Sequence, residues 1–339
     1  MFGGSRAGGR CPIGVDLGAH SIKLLQLERR CEGTASWSVA AAATRAMPTD
    51  LPPSGPQRIT AISNIIRAML SEAPFRGRTC VSCLPYSLIQ FKNLRLPPMP
   101  ADELRQAIEW EAADRLSAEN GPVQFQYFDA GLVRQGDESR QEIILMTALP
   151  AAVEEHVTTL VQAGLDPMAV DVAPAALARV MAAHAEHDEQ MREDGTSAPA
   201  RVIIDVGHGA TQVVIVREGR IVFVKLIDVG PVNDDATVAE LARELQLCLR
   251  YYSVTFRGVR PDRAALIGEA DRDAELARKL SEQLGIRVEA VSPLRHVDTS
   301  RMPEQARRAG LGRWAVAAGL SLRGLVPQTS QAEVRGAAA

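Results

Sequence analysis

IGVDLGAHSIKLLQL (13–27) and RVIIDVGHGATQVVIVREGRIVFVKLIDVG (201–230) carry the reading of the fold. In each, an apolar β-rich run ends in an Asp-x-Gly turn and a second run returns from it. Ile13–Leu17 and Ser21–Leu27 flank Gly18-Ala19-His20, and DVGHGA separates the corresponding pair in the second stretch. Glycine turns between β-rich runs signal hairpins. A third run follows each hairpin, Ser36–Ala43 in the first and the strand after REGR in the second, so both stretches read as meanders. A motif repeated in two distant parts of one chain predicts two related halves.

The residue types at these turns suit phosphate chemistry. Glycine lets backbone N–H groups approach phosphate oxygens without an intervening side chain. Aspartate repels phosphate but can hold Mg²⁺ or its water shell, which then bridges to the phosphates. Two such hairpins facing each other across a cleft would clamp a nucleotide tail. Lys23 lies on the returning strand as a point-charge phosphate ligand. It is one of 4 lysines in a chain with 34 arginines. The plain alternative is that both Asp-x-Gly segments are simply tight turns.

Outward from these stretches, 57–73 reads as a helix with Ile59, Ile62, Ile65, Ile66, Met69 and Leu70 on one face, and 79–84 as a strand. Residues 85–172 read as a separate small α/β unit. It comprises strand Leu88–Leu96, helix Asp102–Leu116, strands Gln124–Val133 and Glu142–Leu149 joined by RQGDESR, helix Ala151–Ala163 and strand Met168–Val172. A return helix covers 173–183, and the charged stretch 184–200 reads as a polar linker. The second half, 201–326, continues with helix 235–253, strand Ala264–Ile267, helix Asp271–Gly285, strand Ile286–Val291 and helix Arg313–Leu322. Strands and helices mixed in two halves predict an α/β protein, with a first lobe at 12–84.

Composition excludes several classes. With 339 residues, 46% hydrophobic and 23% charged, the chain has the profile of a soluble globular protein. A net charge of −3 leaves no global basic field for nucleic acid, and 14 aromatics offer little stacking surface. No run approaches the ~18 apolar residues that span a bilayer. The start MFGGSRAGGRCP lacks the apolar core of a secretion signal, so a cytoplasmic location is expected. Cys80 and Cys83 sit three apart on a predicted strand, which points them to opposite faces and suits neither a metal nor a redox turn. His184, His187, Glu186, Asp188 and Glu189 read as solvated linker, and Glu109, Glu111 and Asp114 as the wet face of a helix.

These residues resemble the actin-like nucleotide-binding superfamily, and within it the PilM family of cytoplasmic type IV pilus assembly proteins. IGVDLGAHSIKLLQL (13–27) is similar to the family's opening, and LRLPPMPADELRQAIEWEAADRL (94–116), VSPL (291–294) and AVAAGLSLRG (315–324) extend the likeness over roughly 12–326. The resemblance implies an actin-like, ribonuclease H-like two-lobed fold with a small subdomain inserted in the first lobe, as in FtsA-type cell-division proteins. It implies that Asp16, Gly18, Ala19 and Lys23 form a first phosphate motif, Asp205, Gly207, Gly209 and Thr211 a second, and Gly268 a third element against adenosine. ATP with Mg²⁺ is the implied ligand, the metal being held by Asp16 and Asp205.

Three departures predict that nucleotide binding is weak or lost. Glu269 replaces the second glycine of the third element. Val229-Gly230 runs almost directly into LARELQLCLRYY, so the family's base-capping subdomain is largely missing. Ala19 stands where a hydroxyl is usual. No residue presents itself as a catalytic base; Asp171 is the best acidic candidate, and His208 is a weaker phosphate contact. The expected function is a scaffold of a type IV pilus or type II secretion-like machine, peripheral to the inner membrane through a protein partner. In the family that partner is a bitopic protein whose N-terminal cytoplasmic tail docks between the main sheet and the inserted unit, near Leu84-Pro85-Tyr86. The alternatives are a working ATPase or ATP-dependent phosphotransferase, and a filament-forming cytoskeletal relative.

Overall fold

The computed structural model describes residues 10–30, 37–120, 123–189, 200–257, 260–269 and 273–323, with side chains left aside at 10, 114–120 and 184–189. In chain order the elements are β1 (Arg10–Leu17), β2 (Ser21–Arg29), β3 (Trp37–Ala46), α1 (Pro56–Glu72), β4 (Thr79–Cys83), β5 (Gln90–Leu96), α2 (Ala101–Asn120), β6 (Gln124–Gln135), β7 (Glu138–Ala148), α3 (Pro150–Gln162) and β8 (Asp166–Asp171). There follow α4 (Ala173–Glu189), β9 (Arg201–Val206), β10 (Thr211–Arg217), β11 (Arg220–Ile227), α5 (Asp235–Phe256), β12 (Arg263–Gly268), α6 (Ala274–Leu284), β13 (Arg287–Ala290), β14 (Val297–Asp298), α7 (Glu304–Arg308) and α8 (Ala315–Ser321). They form two compact units. The first takes the chain up to Pro85, resumes at Glu155 through α4 and again from Val291; the second takes Tyr86–Glu154 and the stretch from β9 to Ala290.

The first unit is built on a sheet of order β14-β3-β2-β1-β4-β8. β1, β2 and β3 form the antiparallel meander, while β4 runs parallel to β1 and β8 parallel to β4. Its central strands are buried on both faces, which is why they read as continuous apolar runs rather than alternating ones. On one face Ile13, Val15, Ile22 and Leu24 pack with Ile62, Ile66 and Met69 of α1 and Leu160 and Ala163 around α3. On the other, Val81 and Cys83 meet Ala176 of α4 and Leu320 of α8. Cys80 belongs to the first cluster and Cys83 to the second, so the two thiols do sit on opposite faces. Burial pushes the Cys80 thiol up to about 12, which makes it an inert core group.

The second unit holds a sheet of order β11-β10-β9-β12-β13 and a smaller antiparallel sheet of order β5-β7-β6. β9, β10 and β11 form the second meander, with β12 parallel to β9. α2 closes one face of the small sheet through Leu104, Ile108 and Ala112.

The observed boundaries differ from the sequence expectation in three places. The stretch 85–172 is divided: β5, β6 and β7 make their own sheet, but β8 pairs with β4 and α3 packs on the first unit's core. A short apolar run announces a strand without naming its partner, and here the partner is a parallel strand distant in sequence. The end of the stretch 201–326 also differs. From Val291 onward the chain returns to the first unit, where β14 pairs with β3 and α8 covers β1. Finally, α4 continues to Glu189, into the stretch read as linker. The remainder of that linker, Cys31, Ala270 and the chain beyond Arg323 lie outside the described residues, as do the side chains of Asp114 and of the His184–Glu189 cluster.

His156 of α3 is buried, with Nε2 at 2.8 Å from Ser82 Oγ on β4. Burial drives its pKa from 6.5 down to about 4. Between those values the unfolded chain takes up a proton that the native site refuses. Stability is therefore full above pH 6.5 and falls as pH drops toward 4, by up to roughly 3 kcal/mol. Urea midpoints collected across that range should show this loss, and His156→Gln should flatten its upper half, where carboxylates do not yet titrate.

Candidate functional site

The sequence-selected residues fall into two groups, one in each unit. In the first, the β1–β2 register places Asp16 directly opposite Lys23. Lys23 Nζ donates to Asp16 Oδ2 at 3.2 Å, and both residues are buried. Gly18 closes the turn by donating its N–H to Ser21 O at 3.1 Å. A Cβ placed there would stand 3.8 Å from Asp16 Oδ1 and 3.9 Å from Lys23 Nζ, so the turn lies directly beside the ion pair. Ala19 and His20 are exposed at the tip. The two charges that could serve a nucleotide, a metal-holding carboxylate and a phosphate-binding ammonium, are thus engaged with each other.

The second group centres on the β9–β10 turn. Gly207 donates its N–H to Ala210 O at 2.9 Å, and a Cβ on Gly207 would stand 2.7 Å from that same oxygen. Asp205 is partly exposed, whereas His208 and Gly209 are exposed. Gly268, at the end of β12, has φ of 83°, and a Cβ there would fall 2.3 Å from Val206 O and 2.5 Å from Asp205 Oδ1. Only glycine fits this backbone and this space. Glu269 then donates its N–H to Val206 O at 2.8 Å and is itself exposed. The second motif and the third element are therefore brought together, and the Glu269 side chain reaches solvent.

Thr211 and Asp171 are placed differently from the expectation. Thr211 is fully buried and its Oγ1 donates to Val229 O at 2.8 Å, so the hydroxyl is committed to the fold. Asp171 is also buried. Its Oδ2 pairs with Arg179 at 2.9 Å and Arg323 at 2.6 Å, and its Oδ1 accepts from Val172 N–H. Both carboxylate oxygens are committed to partners in the core, so Asp171 serves the fold rather than a substrate. Among the described residues no group of three or more His, Cys, Asp and Glu side chains gathers as a metal site. Of the two aspartates, Asp205 is the partly exposed one, whereas Asp16 is buried and paired with Lys23.

One structural residue escaped the sequence reading. Gly230, just after β11, closes over the second turn: a Cβ there would meet Gly207 O at 2.7 Å and Ala210 N at 2.9 Å. The signal was present as a second Asp-Val-Gly, 228–230, echoing 205–207.

A family model described as type IV pilus assembly protein PilM matches residues 14–230. Among solved structures, the chain is similar to one described as the PilM-PilN type IV pilus biogenesis complex, with TM-score 0.72 and 22% identity over 93% of this chain and 99% of that one. It also resembles the ethanolamine utilization protein EutJ from Carboxydothermus hydrogenoformans, with TM-score 0.52 and 12% identity over 94% and 91%. No match was found among curated proteins. The fold is actin-like, and no described helix is long and apolar enough to cross a membrane.

Lys23→Met should leave the Asp16 carboxylate buried and unpaired, costing about 3–5 kcal/mol in urea denaturation, with most of it regained on adding Asp16→Asn. Thr211→Val should cost about 1 kcal/mol through the stranded Val229 carbonyl, and should leave any Mg·ATP affinity unchanged in a parallel titration.

Proposed function

The chain belongs to the type IV pilus assembly protein PilM family, and from that membership we propose that it is a cytoplasmic scaffold of a pilus or secretion-type assembly machine. Its task is to hold the N-terminal cytoplasmic tail of an inner-membrane partner, with nucleotide bound weakly or not at all. The likeness to a protein described as assembled in a PilM-PilN complex supports a partner of this kind. Leu84-Pro85-Tyr86 and the strand–helix that follows are the segments we assign to the tail.

The observation that carries the nucleotide half of this reading is the buried Lys23–Asp16 pair. Mg·ATP would have to separate two charges already neutralising each other, which subtracts from whatever its own contacts return. The committed Thr211 hydroxyl acts in the same direction. The rival, nucleotide-dependent reading draws on the strict glycine geometry at Gly207 and Gly268.

Calorimetry separates the two. With Mg·ATP we expect no heat, or affinity no tighter than millimolar, in the wild type, Asp16→Ala and Asp205→Ala. Micromolar binding that either substitution abolishes would overturn the scaffold reading in favour of a nucleotide-driven switch. The partner's tail peptide, titrated separately, is expected to bind wild type and Asp205→Ala alike.

A further inference from the structure

Two exposed helix faces in the second unit carry opposite charge. The small sheet β5-β7-β6 separates them. On one side Leu94, Tyr127, Ile143 and Leu145 pack against α2. On the other, Glu142 accepts from Tyr251 of α5 at 2.8 Å, and Arg95, bound to Glu142 at 2.7 Å, reaches Thr255 of α5 at 3.4 Å. α2 and α5 therefore lie on opposite sides of one sheet, and their outer faces cannot meet within one molecule.

On α5, Arg243, Leu247, Arg250 and Val254 recur at spacings of four, three and four. At about 100° per residue they occupy a strip roughly 60° wide, opposite the buried Leu245 and Tyr252. Leu247 is 55% and Val254 70% exposed. Both arginines are exposed and take part in no ion pair among the described residues. The acid beside the strip, Glu244, is already paired with Lys225 at 2.6 Å, and Glu240 lies at its N-terminal end.

α2 presents the counterpart. Asp102, Glu103, Glu109 and Trp110 share its outer face, with Trp110 65% exposed and the three acids outside any ion pair among the described residues. Asp102 and Glu109 are seven residues apart, as are Arg243 and Arg250. That spacing is about 10.5 Å along either helix, so two charge pairs can form in register, with the indole of Trp110, one residue past Glu109, meeting the strip beside the second pair.

We propose that α2 of one copy docks on the arginine-aliphatic strip of α5 in the next. The contact is heterologous, because each copy keeps one free face of each kind, and it therefore propagates into an open chain or closes as a ring. A bilayer is a poorer fit to the strip. An interfacial helix needs a continuous apolar face, whereas here the aliphatics alternate singly with arginines. One helix-on-helix contact buries less than the roughly 1,200 Å² of a stable interface, so association is weak and salt-sensitive. The inference does not depend on nucleotide; α2 also belongs to the segment assigned to the partner's tail, so the tail and a second copy would compete for it.

Sedimentation velocity on the full chain, from micromolar to hundreds of micromolar, tests it. At low salt the sedimentation coefficient should rise with concentration, and high salt should abolish the rise. Arg243→Glu/Arg250→Glu makes both faces acidic, and Asp102→Arg/Glu109→Arg makes both basic. Each variant should stay monomeric alone, with unchanged circular dichroism, and the two should associate when mixed. A wild type that remains monomeric throughout, or variants that associate alone as the wild type does, would overturn the proposal. So would loss of binding to phosphatidylglycerol vesicles in the arginine variant with self-association intact, since the strip would then be a membrane face.

Discussion

The first unit depends on how closely one short helix approaches the sheet. At Gly14 a Cβ would stand 2.0 Å from Ala317 O, and at Gly319 another would stand 2.0 Å from Ala176 O. The backbone of α8 is thus pressed between β1 and α4 where no side chain can enter. Ser321 Oγ secures its end, donating to Pro12 O at 2.8 Å and accepting from Leu27 N–H at 3.0 Å. These contacts join the first strands of the chain to its last described helix. They place the 291–323 segment beside the meander that carries Asp16 and Lys23. Even a methyl group at Gly14 would have to move backbone rather than a flexible side chain, which makes this junction a stringent requirement on the fold.

Around both Asp-x-Gly turns, polar side chains are satisfied from within. Asp16 has Lys23, Thr211 has the Val229 carbonyl, and Asp171 has two arginines. A site prepared for a charged ligand usually keeps some of its donors and acceptors waiting. Here the turn geometry persists while its ionic and hydroxyl groups support the protein itself. That combination agrees with the weak or absent nucleotide binding proposed above.

Legibility in the sequence followed the range of the interaction. The two hairpins and α1 were readable because a glycine turn and a 3.6-residue period are local signals. The Asp16–Lys23 pairing was within reach too, since counting back from the β1–β2 turn sets the two residues opposite each other. The allegiance of β8 and α8 was not. Both are ordinary apolar segments whose partners are chosen by packing far along the chain. The same holds for Thr211: its type fits a phosphate contact, and only the fold reveals the carbonyl that takes its proton.

The small sheet is bonded to α5 through charged and phenolic groups rather than by apolar packing alone. Glu142 is 1% exposed and receives both Arg95 and Tyr251, while Asn93 donates to the same Tyr251 oxygen at 2.7 Å and Arg220 of β11 reaches Asp129. Such bonds are directional and resist shear, where greasy surfaces slide. A load on β7 would pass into α5 through these bonds, whereas α2 rests on the same sheet through the apolar Leu104, Ile108 and Ala112. That stiffness makes the small sheet and α5 a single mechanical piece.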